Sequence, residues 1–192
     1  MKLKTAILIT CYNRVETTKI CLKHCFDAIS LTKNIDHDIF LLDDNSPDKT
    51  GEIIKDLYPS INVIYGDGKH FWCGGTRKLW EFAATKKNYN YYVWLNDDSI
   101  LFKNSFSVIY NDLKNKNSSI IVGTFISSNK NLNEITYGGR NKNLKLIKPS
   151  GQPQECSLIN GNFVFIPREV FINIGFLSKM FTHNYGDIDY GL

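Results

Sequence analysis

Residues 91–100 read Tyr91-Tyr92-Val93-Trp94-Leu95-Asn96-Asp97-Asp98-Ser99-Ile100, in which an apolar and aromatic run leads directly into an acidic cluster. A run of this length, rich in Tyr, Val and Trp, predicts a strand buried on both faces. Asn96, Asp97 and Asp98 then follow the carboxyl end of that strand, which is where open parallel sheets bind ligands. Adjacent carboxylates repel each other, so they need full solvation or a shared cation. A solvated acidic turn also fits this stretch on its own.

Three strands are predicted before this one, and a helix follows each of them. The strands cover Thr5–Thr10, Asp38–Asp43 and Ile61–Tyr65. The helices are predicted from apolar residues at helical spacing, namely Leu22, Cys25, Phe26 and Ile29, then Ile53, Ile54, Leu57 and Tyr58, then Leu79, Trp80 and Ala83. Thr17 or Thr18 is expected to cap the first helix, and Ser46 or Asp48 the second. The order βαβαβαβ predicts an α/β fold with a doubly wound, mainly parallel sheet.

The pattern is less regular after residue 100. The elements predicted there are a helix with Phe106, Ile109, Tyr110 and Leu113 on its apolar face, a strand over Ile120–Ile126, a polar hairpin pairing Ile135–Tyr137 with Leu144–Ile147, a strand over Asn162–Pro167 and a short helix over Arg168–Ile174. They add a small antiparallel extension toward the C-terminus, and residues 187–192 are predicted to be extended. Neither a repeat nor a low-complexity linker is present, so we predict one domain over residues 1–192.

Composition is ordinary for a soluble globular domain. The chain has 192 residues, a formal charge of +4, 43% hydrophobic and 22% charged residues. Its lysines are mostly scattered, so nucleic acid is not expected as a partner. Five cysteines without CxxC spacing argue against a disulfide framework or a zinc site. The first residues fit neither a signal peptide nor a transmembrane segment, and we expect a cytoplasmic protein.

Four motifs together carry a resemblance to a known family. They are Thr10-Cys11-Tyr12-Asn13-Arg14, Asp43-Asp44-Asn45-Ser46-Pro47-Asp48-Lys49-Thr50, Leu95-Asn96-Asp97-Asp98-Ser99 and Gly186-Asp187-Ile188-Asp189. In this order and spacing they resemble the motifs of family 2 glycosyltransferases, inverting enzymes with the Rossmann-related GT-A fold. The resemblance implies a nucleotide-binding half over residues 1–100, an acceptor-side half over residues 101–192, and C-terminal helices that are missing here.

The resemblance also implies a reaction and its partners. One sugar would pass from a nucleotide-diphosphate sugar donor to a hydroxyl group of a glycan or lipid-linked acceptor, in polysaccharide or glycan biosynthesis. The implied cofactor is a divalent metal, Mn²⁺ or Mg²⁺. Without a transmembrane segment, contact with the inner face of the membrane would be peripheral.

Nucleotide-binding residues are implied in three of the strand-end loops and before the third helix. They are Thr10, Tyr12, Arg14, Asp43, Asp44, Gly75, Arg77 and Asp97. Asp43 and Asp44 resemble acids that bind the base or ribose, and the alternative is a turn capped at Ser46. Gly75 and Arg77 lie in a glycine-containing segment, where backbone N–H groups at a helix N-terminus and an added positive charge would approach phosphate.

The acidic triplet after the fourth strand resembles the metal site of the family. Its first residue is usually Asp and is Asn96 here, which keeps an oxygen acceptor but loses a charge. Asp98 is expected to contact the metal, which would stabilise the departing diphosphate as a Lewis acid. His183 is a further candidate ligand, although a lone histidine is more often a surface or packing residue.

Asp187 resembles the catalytic base that takes the proton of the acceptor hydroxyl. The preceding residue is commonly Glu in the family and is Gly186 here. Asp189 is the fallback candidate and would point to the other face of an extended stretch. A solvated pair of terminal acids is the alternative for both.

Acceptor-binding residues are implied on two segments, and they are Trp72, Asn160, Gly161 and Asn162. Two other functions remain open. A sugar nucleotidyltransferase shares a related layout, but it carries its phosphate loop directly after the first strand. A noncatalytic nucleotide-sugar or carbohydrate-binding domain would bind the donor without turnover.

Overall fold

The computed structural model describes residues 2–113, 119–127 and 134–192. The strands are β1 (Leu3–Cys11), β2 (Ile35–Asp43), β3 (Asn62–Tyr65), β4 (Tyr91–Leu95), β5 (Ile121–Val122), β6 (Phe125–Ile126), β7 (Ile135–Tyr137) and β8 (Phe163–Pro167). The helices are α1 (Val15–Ser30), α2 (Thr50–Leu57), α3 (Phe71–Lys86), α4 (Ser105–Leu113), α5 (Arg168–Ile174) and α6 (Gly186–Gly191). None of the helices in these parts of the chain has the length and hydrophobicity needed to cross a lipid bilayer.

Six of the described strands form one sheet in the order β3-β2-β1-β4-β8-β5. β3, β2, β1 and β4 run parallel, whereas β8 is antiparallel to both of its neighbours. The prediction of a mainly parallel α/β sheet with an antiparallel extension is therefore confirmed. Because the chain passes from β1 to β2 on one side and later returns to β4 on the other, the carboxyl ends of β1 and β4 form a switch point, where such sheets bind ligands.

The core lies in two layers, one on each face of the sheet, since successive side chains of a strand point to opposite faces. In β4, Val93 and Leu95 pack with α1, α2 and α4, whereas Tyr92 and Trp94 pack with α3 and α6. All five residues of β4 are buried, which confirms the prediction of a strand enclosed on both faces. This enclosed strand determines where the acidic residues that follow it emerge.

The start of α1 is capped by a distant residue rather than by a threonine. α1 begins at Val15, whose N–H donates to Asp48 Oδ2 at 3.1 Å across 33 positions of the chain. Asp48 Oδ1 also accepts the N–H of Thr50 at 3.0 Å, at the start of α2. One carboxylate thus satisfies orphan N–H groups of two helices. The predicted threonine cap is wrong, and of the two residues predicted to cap α2 the structure selects Asp48.

The strand predicted over Ile120–Ile126 is divided at Gly123. The N–H of Gly123 donates to the carbonyl of Phe163 at 2.8 Å. β5, before this glycine, pairs with β8, and β6, after it, leaves the main sheet to pair with β7. β7 itself therefore does not pair with Leu144–Ile147 as predicted, because an alternating pattern identifies a strand but not its partner. Arg140, just after β7, does form an antiparallel bridge with Leu146.

Two segments predicted as loop or extended chain are helical. The segment 71–77, expected to precede the third helix, forms the first turns of α3, and residues 186–191 form α6. Phe71 and Tyr185, at the starts of these helices, have φ angles of 52° and 69°. This left-handed conformation is uncommon for bulky residues and is found at sites where the surrounding structure imposes it.

Candidate active site

A cavity of about 790 Å³ opens at the switch point between β1 and β4. Its walls come from the loops after β1, β2, β3 and β4, Tyr137 of β7, the start of α3, residues 160–162 before β8 and residues 183–188 leading into α6. Among the residues implied by the sequence, it brings together Thr10, Tyr12, Arg14, Asp44, Trp72, Asp97, Asp98, Asn160, Gly161, Asn162, His183 and Asp187. It is not lined by Asp43, Gly75, Arg77 or Asp189. Polar groups that converge on a large pocket are the expected form of a binding site.

The two carboxylates after β4 have different surroundings. Asp97 is buried, with 7% of its side chain exposed, whereas 50% of the Asp98 side chain is exposed. Arg14 Nη1 donates to both, at 3.1 Å from Asp97 Oδ1 and 3.3 Å from Asp98 Oδ2. Burial raises the pKa of the Asp97 carboxyl to about 6, against the lowering effect of the Arg14 charge. Asp98 is therefore the carboxylate of this pair that is more accessible to a ligand in the cavity.

Asp43 holds the start of α2 and does not reach the cavity. Its side chain is buried, and its carboxylate accepts the Ser46 N–H at 2.9 Å, the Ser46 hydroxyl and the Gly51 N–H at 2.7 Å. A Cβ added at Gly51 would lie 2.6 Å from Asp43 Oδ2. These contacts use both oxygens of Asp43 and support the turn interpretation of this residue, which does not line the cavity.

Asp44 lines the cavity and anchors the loop before α3. Its carboxylate accepts three backbone N–H groups in residues 68–71 at 2.9 to 3.1 Å. It also lies within 4.8 Å of ligand atoms of Asp67 and His70, a group that could hold a metal ion. The sequence analysis did not identify Asp67 and His70 as candidate ligands. The sequence feature that could have identified them is an acidic residue and a histidine three positions apart in a loop. Lys78 Nζ lies 3.1 Å from His70 Nε2, and its positive charge opposes a cation there.

Asn96 joins the two sides of the cavity. Its Oδ1 accepts the indole N–H of Trp72 at 2.7 Å, and its Nδ2 donates to Asn162 Oδ1 at 3.1 Å. A carboxylate at position 96 could accept the first bond but could not donate the second. Gly161 packs so closely on Trp72 that an added Cβ would lie 2.3 Å from the ring. The candidate acceptor residues thus form one connected wall, and the Asn in place of the usual Asp has a structural reason.

Asp187 stands at the N-terminus of α6 and faces the cavity. Its Oδ2 accepts the Gly161 N–H at 2.8 Å, and its Oδ1 accepts the Ile188 N–H at 3.0 Å. Each carboxylate oxygen keeps a further acceptor position. Asp189 is exposed and lies outside the cavity lining, because two residues of a helix are separated by about 200° of rotation. Of the two candidate bases, the structure brings only Asp187 to the cavity.

Arg77 and Gly75 lie outside the cavity lining and contact residues that form or support its walls. Arg77 Nη1 donates to the carbonyl groups of Ser178 and Phe181 at 2.8 and 3.2 Å. Gly75 packs against Thr10, where an added Cβ would lie 2.6 Å from the Thr10 methyl group. Gly75 and Arg77 thus lie in a helix outside the cavity lining, where Arg77 holds the 178–185 loop, and phosphate contact by these two residues stays a prediction.

Replacing Arg77 with Ala should loosen the 178–185 loop, which carries His183 and Tyr185 to the cavity. Loss of hydrogen bonds from this charged donor should lower the free energy of unfolding by about 1.5–3 kcal/mol. Amide hydrogen exchange should also rise in the 178–185 loop and at Gly74, whose N–H donates to the Thr182 carbonyl at 3.0 Å. Exchange followed by mass spectrometry, together with urea denaturation, measures both effects.

Arg140→Ala is the matched control for this experiment. Arg140 Nη1 also donates to a backbone carbonyl, that of Leu144 at 2.6 Å, but Arg140 lies outside the cavity lining. This variant should leave exchange in the 178–185 loop unchanged. Equal protection of that loop in the wild-type protein and in Arg77→Ala would contradict the positioning role.

Comparisons with known proteins give a family match. The family model described as glycosyl transferase family 2 matches residues 6–175. A comparison with curated proteins finds no match.

Solved structures resemble the whole of the described fold. The mannosyltransferase PcManGT from Pyrobaculum calidifontis, in complex with GDP-Man and Mn²⁺, has a TM-score of 0.66 at 9% identity, over 99% of this chain and 50% of its own. S. aureus TarS 1–349 has a TM-score of 0.67 at 13% identity, over 98% of this chain and 54% of its own. TarS 1–349 in complex with UDP has a TM-score of 0.67 at 11% identity, with the same coverage. The chain thus spans about half the length of these structures, and the likeness is one of fold.

Proposed function

The chain belongs to glycosyl transferase family 2 and has the GT-A type of fold, and from this premise we propose that it transfers a sugar from a nucleoside-diphosphate sugar to an acceptor hydroxyl with inversion at the anomeric carbon. The observation that carries the proposal is that Asp98 and Asp187 line a single cavity at the switch point of the sheet. An acid that can meet a cation and an acid that can take a proton are the two groups that this transfer needs.

The donor nucleotide is proposed to lie against the loop after β1. Tyr12 lines the cavity with 54% of its surface exposed, so its ring is free to pack against a base. The Arg14 guanidinium, also on the cavity wall, suits a diphosphate because its charge-assisted hydrogen bonds match phosphate oxygens. Bound GDP-Man in PcManGT and bound UDP in TarS support this class of donor.

The residues present fit a divalent metal. Asp98 presents an exposed carboxylate to the cavity, and the buried Asp97 Oδ2 has no hydrogen-bond partner among the described residues. Hard cations such as Mn²⁺ and Mg²⁺ prefer such oxygen ligands. We propose that Asp98 holds the metal and that His183 can add a nitrogen ligand. Asp44, Asp67 and His70 form a second candidate position, which the Lys78 charge disfavours. When bound, the metal would supply Lewis-acid stabilisation of the departing diphosphate.

Asp187 is proposed as the general base. The acceptor oxygen would form its bond to the anomeric carbon on the face opposite the diphosphate while the bond to the diphosphate breaks. The hydroxyl proton passes to Asp187, which the Gly161 and Ile188 N–H groups hold in place. A single displacement of this kind inverts the anomeric carbon.

The acceptor is proposed to be a glycan or a lipid-linked glycan in polysaccharide biosynthesis. Trp72 offers an indole ring at the cavity wall, and Asn160 and Asn162 offer amide groups beside it. Aromatic rings pack on the apolar faces of sugars, and amides hydrogen-bond their hydroxyl groups. The 160–162 segment adjoins Asp187 through the Gly161 N–H, so an acceptor bound there would lie next to the base.

A thermal-shift titration with UDP, GDP and dTDP tests the donor site. With Mn²⁺ present and ligand near 100 times its Kd, one of them should raise the Tm by about 5–10 °C, because a ligand of the native state stabilises it. Asp98→Ala should abolish the shift if Asp98 holds the metal, whereas Asp67→Ala should abolish it if the other cation position is used.

No shift with any nucleoside diphosphate would contradict the donor site. A shift without release of sugar from the matching nucleotide sugars would favour the noncatalytic binding domain over the enzyme. Turnover of a nucleoside triphosphate with a sugar phosphate would instead favour a nucleotidyltransferase, which membership of family 2 already argues against.

A further inference from the structure

Arg14 contacts the carboxylate to which we assign the metal. Its Nη1 lies 3.3 Å from Asp98 Oδ2 and 3.1 Å from Asp97 Oδ1. A cation that binds Asp98 would therefore stand next to a guanidinium group that is always charged. A divalent cation and a guanidinium group that share one carboxylate repel each other strongly at a partly buried site.

The two carboxylates that Arg14 contacts differ in their burial. Asp97 is enclosed, with 7% of its side chain exposed, and its Oδ2 has no hydrogen-bond partner among the described residues. Removing Arg14 from Asp97 would leave a buried charge without a counter-ion, which is costly. Asp98 is half exposed and can be solvated by water, so the contact between Arg14 and Asp98 is the one that can exchange.

We propose that Arg14 controls metal loading by competing with the divalent cation for Asp98. The protein alone then binds the cation weakly. A nucleoside diphosphate brings negative charge for both the cation and the Arg14 guanidinium, so the cation binds firmly only together with it. The metal position at Asp98 and the naming of the nucleoside diphosphate rest on the proposed function, whereas the competition itself is tested with Mn²⁺ alone.

The test is a titration of Mn²⁺ against the full chain without nucleotide, with free Mn²⁺ measured by electron paramagnetic resonance. Arg14→Gln removes the charge and should bind Mn²⁺ at least about tenfold more tightly than the wild-type protein. Arg14→Lys keeps the charge and should bind close to the wild-type level. The double variant Arg14→Gln with Asp98→Asn should lose the gain.

Lys19→Gln is the matched control. It removes one positive charge from α1, where Lys19 pairs with the exposed Glu16 at 2.8 Å and does not line the cavity. It should leave the Mn²⁺ affinity within about twofold of the wild-type value. Circular dichroism of each variant checks that the fold is retained.

Two results would overturn the proposal. One is Arg14→Gln binding Mn²⁺ no more tightly than the wild-type protein, and the other is a gain that persists after Asp98→Asn. Adding UDP or GDP then separates this inference from the proposed function. If neither nucleotide binds any variant, the donor assignment fails while the competition between Arg14 and Mn²⁺ stands on its own titration.

Discussion

Replacing Asp187 with Asn should lower the rate of sugar transfer by about 10²–10⁴-fold, the usual contribution of a positioned general base. The amide has nearly the same shape as the carboxylate but cannot take a proton from the acceptor hydroxyl. Binding of the nucleoside diphosphate should stay within about twofold of the wild-type value, because a group that acts only in the transition state does not contribute to ground-state binding. Transfer kinetics and a nucleotide titration on the same preparation measure the two quantities.

Two features of the site shape the interpretation of this variant. An Asn at position 187 can accept only one of the two N–H groups that the carboxylate accepts, those of Gly161 and Ile188, so the stability of the variant must be measured as well. Asp189→Asn decides between the two acids, since Asp189 lies on α6 outside the cavity lining. Transfer that survives Asp187→Asn but fails in Asp189→Asn would reverse the assignment.

Replacing Trp80 with Ala should lower the free energy of unfolding by about 3–5 kcal/mol, as is typical for truncation of a large buried aromatic residue. Trp80 is fully buried at the centre of the layer beneath α3. Its ring lies 5.3 to 5.7 Å from the rings of Tyr92, Trp94, Phe171, Phe176 and Tyr190. The Tyr190 contact links this layer to α6, so the variant should also disturb Asp187. Urea denaturation gives the stability change.

Trp72 supplies the comparison for this prediction, because it lies on the same helix but at the cavity wall. Trp72→Ala should cost less stability than Trp80→Ala, since Trp72 is only partly buried, and it should impair acceptor use more than folding. Trp80→Phe should cost less than half as much as Trp80→Ala, because it keeps an aromatic ring and removes an indole N–H that has no partner among the described residues. Equal costs for the two alanine variants would contradict this view of the core.

Sequence patterns were most reliable where a residue's environment depends on its own neighbours in the chain. The run Tyr91–Leu95 was predicted to be a short buried strand, and the observed β4 has the same bounds. The apolar face of α4 was predicted in full, since all four of its residues are buried. Patterns failed at pairing, as with β7, because an alternating strand carries no information about which edge it meets.

The sequence by itself determined an α/β fold with acidic residues at the ends of its buried strands, because hydrophobic periodicity and strand-end composition are local properties of the chain. Only the tertiary structure decided what each polar group does. Asp43 is occupied by the turn before α2, Asp48 caps a helix 33 positions away, and Arg77 holds a loop. The physical reason is that the hydrogen-bond and charge partners of these side chains lie far away in sequence. The order of strands in the sheet determines which of them meet, and it leaves Asp98 and Asp187 facing the same cavity.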